Sequence, residues 1–333
     1  MSREEWLAYR RNGIGGSDAA AIMGISPFRT ARDIYYDKLN VASQEMGENW
    51  VALEIGHLLE DLVARIFAKK TGLHVYQVKK MYQHPLYLWM LADVDYFAVL
   101  PNGKIAIVEI KTTNFNARSH WWGEDGSEII PEYYVAQVRH YMAVMNLDEA
   151  FICCLYGNNE DEVIIRHLAR DLTCESELIF NEECFWKENV LAHVPPAYTE
   201  DGDLIQASIN RTIGNAPYSN HAVKLSDSAS GYFEKYLELQ GQKSILDSQV
   251  NDMEKELKRL KALITAEMGT NSIAICNING DSYRISNKVV RRTEVKKDNI
   301  LRLKTLYPEV YDACVTNSEY RRFHFSIAET DAA

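Results

Sequence analysis

The segment LADVDYFAVLPNGKIAIVEIKTT is typical of two apolar strands around a Pro-Asn-Gly turn, yet away from the turn four charged residues occupy positions where a sheet would prefer apolar ones. They are Asp93, Asp95, Glu109 and Lys111. If the turn is a three-residue loop, Asp95 faces Glu109 and Asp93 faces Lys111. Side chains alternate along a strand, so all four would share one face. A bulge in the turn would shift this cross-strand pairing by one residue but leave the spacing within each strand unchanged.

These charges allow two interpretations. On an exposed hairpin they would form cross-strand salt bridges, but IAIVEI is apolar on both faces and three acids face one lysine. A divalent cation would offset the repulsion, and Asp95 with Glu109 suits magnesium, which takes one or two carboxylates. Lys111 could then orient or deprotonate a metal-bound water, or neutralise charge on a phosphate. This interpretation predicts metal-assisted hydrolysis of phosphodiesters.

Two predicted helices carry polar residues on otherwise apolar stripes. In ALEIGHLLEDLVARIFAKKTG, which should end at Gly72, Glu60 lies on the stripe and is either a marginal exposed acid or a further metal or water ligand. His57, one turn away, is interpreted as structural or as a support for the ligands. In PEYYVAQVRHYMAVM, Gln137 shares a stripe with Tyr141 and needs a hydrogen-bond partner, so it is a buried amide or a site residue.

Two further segments have residues that suit nucleic acid. RRNGIGGSDAAAIMG combines Arg10, Arg11 and a Ser17-Asp18 helix start with three glycines, which suits a phosphate as well as an ordinary helix cap with surface arginines. It is not a Walker A loop, because no Gly-Lys-Ser/Thr follows. NFNARSHWWGEDGSE carries three aromatic residues and Arg118. The aromatic rings could stack on bases, but packing of the loop is the favoured interpretation.

The whole chain has the composition of a globular protein. It has 333 residues, 47% of them hydrophobic, and a formal net charge of -11, which argues against a protein that coats nucleic acid over its whole surface. A locally basic groove remains compatible with DNA. The six cysteines form no C-x-x-C pair, which argues against a disulfide scaffold or metal cluster. MSREEWLAYRRNG lacks a signal-peptide core and no segment is a membrane span, so a cytoplasmic location is expected.

Changes in pattern divide the chain into four predicted regions. Residues 1–200 alternate helical and strand patterns, and the polar segment 201–228 is typical of a linker or wrapping segment. Residues 229–269 form a predicted coiled-coil-like helix, because apolar residues recur there in alternating steps of four and three. Residues 270–333 should hold a hairpin around Asn279-Gly280 and a helix that Asp298 caps and Pro308 helps to end.

With these motifs in hand, the chain resembles the PD-(D/E)xK nucleases, in particular the YqaJ-like viral recombinases and the phage lambda-type exonucleases. The resemblance depends on five segments in order, namely RRNGIGGSDAAAIMG, GHLLE, ADVDYF, VEIK and AQVRHY. It continues weakly through the segment ending ITAEMG and the LKTLYPEVY…YRRFHF ending. It implies an α/β fold with a restriction-endonuclease-like core, a mixed central sheet flanked by helices. A coiled-coil helical segment and a small α+β C-terminal region would follow.

The resemblance also implies roles for individual residues. The implied catalytic residues are Asp95, Glu109, Lys111, Glu60 and Gln137, and the implied metal ligands are Asp95, Glu109, Glu60 and the backbone carbonyl of Ile110. Arg10 or Arg11 with Ser17 matches the terminal-phosphate anchor. The accessory residues would be Asp93, Tyr141 and His57. The family often has Ser-Pro-Asp where this chain has Asp93-Val94-Asp95, so Asp93 is either an additional ligand or the partner of Lys111.

The favoured expectation is a magnesium-dependent deoxyribonuclease, with manganese as a substitute. The resemblance implies a 5′-to-3′ exonuclease that resects duplex ends for phage-type recombination in a bacterial host. It also implies a trimeric ring and a single-strand annealing or single-strand-binding partner. The iron-sulfur cysteines of some relatives are missing, so no cluster is expected. The alternatives are an endonuclease with the same site, and a non-catalytic recruitment module with a vestigial site.

Overall fold

The computed structural model describes residues 3–41, 50–213, 221–279, 281–287, 302 and 304–314. The chain divides into two compact units, Met1–Asn220 and His221–Ala333. All of the site residues named above lie in the first unit. Among the described residues, no helix is both long enough and apolar enough to cross a lipid bilayer.

The first unit contains eight described strands in two sheets. They are β1 (Ile14–Gly15), β2 (His74–Tyr76), β3 (Met81–Gln83), β4 (Met90–Asp93), β5 (Tyr96–Val99), β6 (Ile105–Thr112), β7 (Glu149–Leu155) and β8 (Val163–Ala169). The larger sheet has the order β2-β5-β6-β7-β8, and the smaller has the order β1-β4-β3. The larger sheet is mixed, because β6 and β7 are parallel whereas its other neighbours are antiparallel.

The described part of the first unit also contains seven α-helices. They are α1 (Arg3–Arg10), α2 (Gly16–Ile22), α3 (Ala31–Lys38), α4 (Trp50–Thr71), α5 (Glu132–Met145), α6 (Leu172–Cys184) and α7 (Gly202–Ile213). A 3-10 helix, Phe115–Trp121, follows β6, and a π-helical turn, Phe185–Leu191, extends α6. Helix α4 ends as expected at Gly72, whose φ of 71° is the left-handed conformation that glycine adopts most readily.

The two faces of β6 pack against different helices, as the alternation of its side chains requires. Ile107 packs into a core with Val138 and Met142 of α5. Val108, on the opposite face, packs with Val63 and Phe67 of α4. The structure thus confirms a mixed central sheet flanked by helices. It also places Glu109 on the face of β6 that meets α5, two residues beyond Ile107.

The predicted register of the hairpin is correct, but one of its strands is shorter than expected. Val99 pairs with Ile105 and Tyr96 pairs with Val108. The strand does not continue back to Asp93, because residues 90–93 form a separate strand, β4, in the smaller sheet. Met90 to Ala92 are buried in this strand. There Asp93 pairs with Met81 of β3. The prediction that Asp93 faces Lys111 is therefore wrong.

Segment 201–228, expected to be a linker or wrapping segment, contains helix α7. The buried carboxylate of Asp33 in α3 holds this helix through Arg211, with an Nη2–Oδ2 distance of 2.6 Å. The Ser208 hydroxyl donates a further hydrogen bond to Asp33 at 2.9 Å. The polar composition of α7 therefore serves a buried polar contact, which local sequence patterns do not distinguish from a solvated segment.

The second unit contains a 42-residue helix, α8 (Asp227–Met268), and two antiparallel strands, β9 (Ile273–Ile278) and β10 (Asp281–Ser286). A short helix, α9, spans Pro308–Cys314. Residues 304–306 are also helical and Tyr307 is not, so a helix ends just before Pro308, as predicted, and Pro308 begins the next one. The predicted cap Asp298 and the turn residue Gly280 lie outside the described residues. A coiled-coil pairing of α8 stays a prediction.

Candidate active site

Glu109 and Lys111 lie on the same face of β6 and form a partly enclosed ion pair. Lys111 Nζ donates to Glu109 Oε1 at 2.5 Å. Burial alone would lower the pKa of Lys111, but the negative charges of Glu109 and Asp95 outweigh it and raise that pKa above its ordinary value. Tyr134 of α5 adds a cation–π contact, with Nζ 5.2 Å from its ring centroid. Lys111 is therefore a cation at neutral pH.

Asp95 lies in the short connection between β4 and β5, next to β6. Its Oδ2 accepts a hydrogen bond from the backbone N–H of Ile110 at 2.9 Å, which ties the connection to β6. Burial raises the pKa of Asp95, and the nearby charge of Glu109 raises it further. The two carboxylates thus repel each other in a region of low dielectric, as the sequence predicted. The proposed role of the Ile110 carbonyl stays a prediction.

One oxygen of Glu109 has no hydrogen-bond partner among the described residues. Glu109 is 1% exposed, its Oε1 accepts from Lys111 and Gln137, and its Oε2 accepts nothing. An unpaired buried carboxylate oxygen is costly, so its environment is incomplete without a cation or donor. Burial also raises the pKa of Glu109, since Lys111 offsets only part of the desolvation.

Helix α5 supplies the remaining contacts of Glu109. Gln137 Nε2 donates to Glu109 Oε1 at 2.6 Å and to the Tyr141 hydroxyl oxygen at 3.2 Å. The sequence required a partner for this glutamine, and the structure identifies Glu109 as that partner. Burial and the charges of Glu109 and Asp95 raise the pKa of Tyr141 well above its ordinary value. Tyr141 is therefore a neutral hydroxyl that helps to fix Gln137.

Glu60 of α4 is electrostatically linked to this cluster. Gln77 Nε2 donates to Glu60 Oε1 at 3.1 Å. Burial raises the pKa of Glu60 and the charge of Asp95 raises it further, whereas His57 acts in the opposite direction. His57 itself is exposed. The structure thus places Glu60 within electrostatic reach of the two central carboxylates, and its role as a ligand stays a prediction.

The fit of a metal ion depends on the central carboxylates. Among the described residues, no three His, Cys, Asp or Glu side chains converge closely enough to form a metal cluster by themselves. Magnesium does not require such a cluster, since one or two carboxylates, waters and substrate phosphates complete its coordination. The unpaired Oε2 of Glu109 and the desolvated Asp95 carboxylate fit this requirement. These two residues would hold the ion.

Asp93 has a different partner from the one that the sequence suggested. Its Oδ2 accepts a hydrogen bond from Trp6 Nε1 in α1 at 3.0 Å. Burial raises the pKa of Asp93, although this hydrogen bond and the charge of Arg10 lower it. Asp93 therefore joins α1 to the edge of the site. No sequence signal pointed to Trp6, because the contact joins residues 87 positions apart.

The predicted phosphate anchor is built around a buried acid. Arg10 donates from Nη2 both to the Ser17 hydroxyl and, at 2.9 Å, to Asp18 Oδ1. Lys38 of α3 bonds the other oxygen of Asp18 at 2.7 Å. Burial would raise the pKa of Asp18, but Arg10 and Lys38 lower it well below its ordinary value. The structure thus brings Arg10 and Ser17 together. Sequence reasoning missed the part of Lys38.

Arg11 points to a different acid from Arg10. Its Nε lies 3.8 Å from Asp37 Oδ1, and this nitrogen is buried without a hydrogen-bond partner among the described residues. Of the two arginines that the sequence offered as an anchor, Arg10 is therefore the one in contact with Ser17.

The aromatic loop after β6 divides into a buried and an exposed part. Trp121 is buried and stacks on Tyr134, with ring centroids 5.7 Å apart, as the favoured packing interpretation expected. Phe115, by contrast, is 58% exposed. The loop is therefore anchored through Trp121 and presents Phe115 at the surface.

The site combines two acidic residues, a lysine and a helical glutamine at a mixed sheet. This combination defines the class of protein. Residues 5–148 match the YqaJ-like viral recombinase domain. The chain is 32% identical to the YqaJ protein of Bacillus subtilis (strain 168) over 327 residues, which cover 97% of this chain and 94% of the relative. The chain therefore belongs to the YqaJ-like viral recombinase family.

Two solved exonuclease structures are also similar. One is an alkaline exonuclease, LHK-Exo, from Laribacter hongkongensis, with 20% identity, a TM-score of 0.46, and coverage of 57% of this chain and 94% of that chain. The other is a phage-related exonuclease from Haemophilus somnus 129PT, with 14% identity, a TM-score of 0.37, and coverage of 54% and 96%.

Proposed function

We propose that the chain is a metal-dependent deoxyribonuclease that acts in recombination. The observation that carries this proposal is the buried Glu109 Oε2, which has no hydrogen-bond partner in the described part of the chain and lies beside the desolvated Asp95 and the cationic Lys111. Two carboxylates and one lysine at the end of a buried strand suit a divalent ion and a phosphodiester together. Membership of a viral recombinase family supports the recombination role.

The mechanism assigns a distinct task to each side chain. Magnesium bound by Asp95 and Glu109 would stabilise charge on the phosphate and lower the pKa of a bound water. Lys111 adds a fixed positive charge for the pentacovalent transition state. The charges of Glu109 and Asp95 raise the pKa of Lys111, which favours this cationic role; the role of general base that the sequence left open stays a prediction. Gln137 and the Ile110 N–H hold Glu109 and Asp95 in position.

The finer proposal is a 5′-to-3′ exonuclease that uses magnesium, or manganese in its place, on double-stranded DNA ends. Arg10 and Ser17 support it, since they form a hydrogen-bonded pair beside Gly15 and α2. A terminal phosphate would compete with Asp18 for Arg10, whereas Lys38 remains to neutralise Asp18. A trimeric ring and a single-strand annealing or single-strand-binding partner are part of the same proposal.

The test compares linear duplex DNA, with or without a 5′-phosphate, and a covalently closed circle. The intact protein and Lys111→Ala are incubated with each in magnesium. We expect phosphate-stimulated loss of the linear DNA and no loss of the circle. Lys111→Ala should abolish this activity, while Lys104→Ala, which removes an exposed lysine paired with Asp148, should retain it.

Each other result has a defined meaning. Nicking of the circle would replace the exonuclease with an endonuclease that uses the same site. If cleavage of neither substrate depends on Lys111, the proposed site is wrong and a non-catalytic recruitment module becomes the better description. Cleavage that depends on Lys111 but not on the 5′-phosphate would remove the anchor role of Arg10 and Ser17.

A further inference from the structure

An aromatic and cationic cluster lies directly after the strand that carries Glu109 and Lys111. The guanidinium of Arg118 lies over three rings, 4.8 Å from the centroid of Phe115, 5.8 Å from that of Tyr156 and 5.9 Å from that of Trp122. Cation–π contacts of this length are favourable and orient the rings. Among the described residues, Arg118 forms no ion pair, so its charge is not neutralised by a neighbouring carboxylate.

The loop that carries this cluster is held by its own hydrogen bonds. Asn114 Oδ1 accepts from the backbone N–H groups of Asn116 at 3.0 Å and Ala117 at 3.1 Å, which begins the 3-10 helix. The 3-10 helix ends at the buried Trp121, whose ring stacks on Tyr134. Phe115 and Arg118 are therefore presented by a structured loop, which reduces the ordering cost of binding a ligand.

The exposed ring in this cluster is Phe115. Trp122 is already covered by two cations, because Arg166 lies 5.2 Å from its centroid as well as Arg118. Phe115 remains 58% exposed, although the Arg118 guanidinium and the Tyr156 ring contact it, the two ring centroids being 6.3 Å apart. An exposed aromatic ring that a cation holds in place can stack on a nucleobase. The guanidinium can bind the adjoining phosphate.

The position of Phe115 links the cluster to the proposed site. Phe115 is four positions after Lys111, so their Cα atoms are at most about 14 Å apart. Successive nucleotides of one strand rise about 3.4 Å each along a duplex, so this reach corresponds to about four nucleotides. We propose that Phe115, held by Arg118, is a stacking surface for a nucleobase of the DNA strand bound at Lys111. This inference rests on the proposed nuclease function.

The experiment measures DNA binding in a Lys111→Ala background, so that cleavage does not consume the probe. Fluorescence anisotropy of an end-labelled duplex with a short single-stranded tail is titrated with Phe115→Ala, Phe115→Leu and Phe115→Trp variants. Phe180→Ala is the matched control, because Phe180 is 63% exposed on α6 and lies outside the loop. Thermal unfolding of each variant shows that the chain is folded.

We expect Phe115→Ala and Phe115→Leu each to weaken binding on the order of tenfold, while Phe115→Trp and Phe180→Ala bind like the parent. Leucine keeps an apolar side chain but has no π face. Weaker binding by Phe115→Leu would therefore identify stacking as the lost interaction. The salt dependence separates the two residues of the cluster. Phe115→Leu should leave the slope of log affinity against log salt unchanged, whereas Arg118→Gln should reduce it by about one.

Equal binding by the Phe115→Ala, Phe115→Leu and parent proteins would overturn the inference. If the intact chain still cleaves DNA in a Lys111-dependent manner, that result leaves the proposed nuclease function in place. Absence of DNA binding by every variant, together with absence of Lys111-dependent cleavage, would instead overturn both.

Discussion

At the scale of single residues, Glu109 is the centre of the site. It is buried, it shares one oxygen between Lys111 and Gln137, and its other oxygen has no partner among the described residues. The bond from Lys111 places a positive charge beside the Glu109 carboxylate, and the bond from Gln137 orients it. Gln137 therefore positions Glu109 and does not itself contact the reacting phosphate in this proposal.

Replacing Gln137 with leucine tests this positioning role. Leucine has a similar size but donates no hydrogen bond, so Glu109 would lose part of its orientation. We expect the rate of DNA cleavage to fall about 10- to 100-fold and the magnesium concentration for half-maximal rate to rise. Magnesium titrations of the cleavage rate measure both effects. Gln206→Leu, on the exposed side of α7, is the control. Unchanged magnesium dependence would contradict the role.

Asp18 gives a prediction of pH dependence. Its pKa in the folded protein lies below that of the unfolded chain, because Arg10 and Lys38 stabilise the carboxylate despite its burial. This contribution to stability is therefore complete above the ordinary pKa of about 3.8 and disappears as the pH falls toward the folded value. The wild type should lose more free energy of unfolding between pH 5 and pH 3 than Asp18→Asn does.

The same variant has an expected effect at neutral pH. Asp18→Asn removes the carboxylate that lies 2.7 Å from the buried Lys38 and leaves only Asp37, at 4.0 Å, to neutralise it, so the free energy of unfolding should fall by about 3 kcal/mol. Urea unfolding followed by tryptophan fluorescence measures this change in the first unit alone, since all six tryptophans precede residue 220. A loss that is equal at pH 3 and pH 7 would contradict the assignment of the pKa shift.

At the scale of elements, the close approach of α2 to α5 determines where Tyr141 and Gln137 lie. A Cβ on Gly16 would be 2.4 Å from Tyr141 Cε1 and 2.9 Å from the Gln137 carbonyl oxygen. Only a residue without a side chain permits this contact. The glycines of GIGGSD therefore have at least one packing role, beside the phosphate-binding role that their sequence suggested.

Gly16→Ala should consequently disturb both stability and the site. We expect a loss of about 1–3 kcal/mol in the free energy of unfolding, together with slower DNA cleavage, because Tyr141 must move away from α2. Gly202→Ala is the matched control, since its added Cβ would have no neighbour within 4 Å. Wild-type stability of Gly16→Ala, measured by urea unfolding, would show that α2 can shift freely.

At the scale of the whole molecule, the site and the long helix lie in different compact units. Every residue proposed to bind the metal, to assist catalysis or to bind phosphate lies within Met1–Asn220. With a net charge of -11, DNA contact must depend on local cations such as Arg10, Lys111 and Arg118. The second unit contributes α8, whose residues Leu246, Val250, Met253, Leu257 and Leu260 are all exposed large hydrophobics.

This division predicts that residues 1–220 function alone. Expressed by themselves, they should unfold cooperatively and retain Lys111-dependent cleavage of linear DNA. The solution mass of the full-length protein should exceed the mass of one chain, because exposed apolar side chains at steps of four and three favour pairing between helices. Light scattering compares the two proteins, with Leu257→Asp as the variant that should reduce association. A monomeric full chain would contradict association through α8 and would favour the alternative that its apolar seam folds back on the same chain.

The candidate site residues and their local spacing could be predicted from the amino-acid sequence. Alternation along the strand placed Glu109 and Lys111 on one face, and helical periodicity placed Gln137 and Tyr141 together, because both relations depend only on local backbone geometry. The hairpin register was also correct, since the turn fixes it. Glycine at position 72 ended α4 for an equally local reason.

Which of these residues contact each other depends on the packing of distant segments and could not be predicted from local patterns. The partner of Gln137 is Glu109, 28 positions away, and the partner of Asp93 is Trp6 instead of Lys111. Lys38 neutralises Asp18, and α7 packs on Asp33 where a linker was expected. Such contacts join distant segments, so they follow from the packing of whole elements around the two sheets and leave no periodic signal in the local sequence.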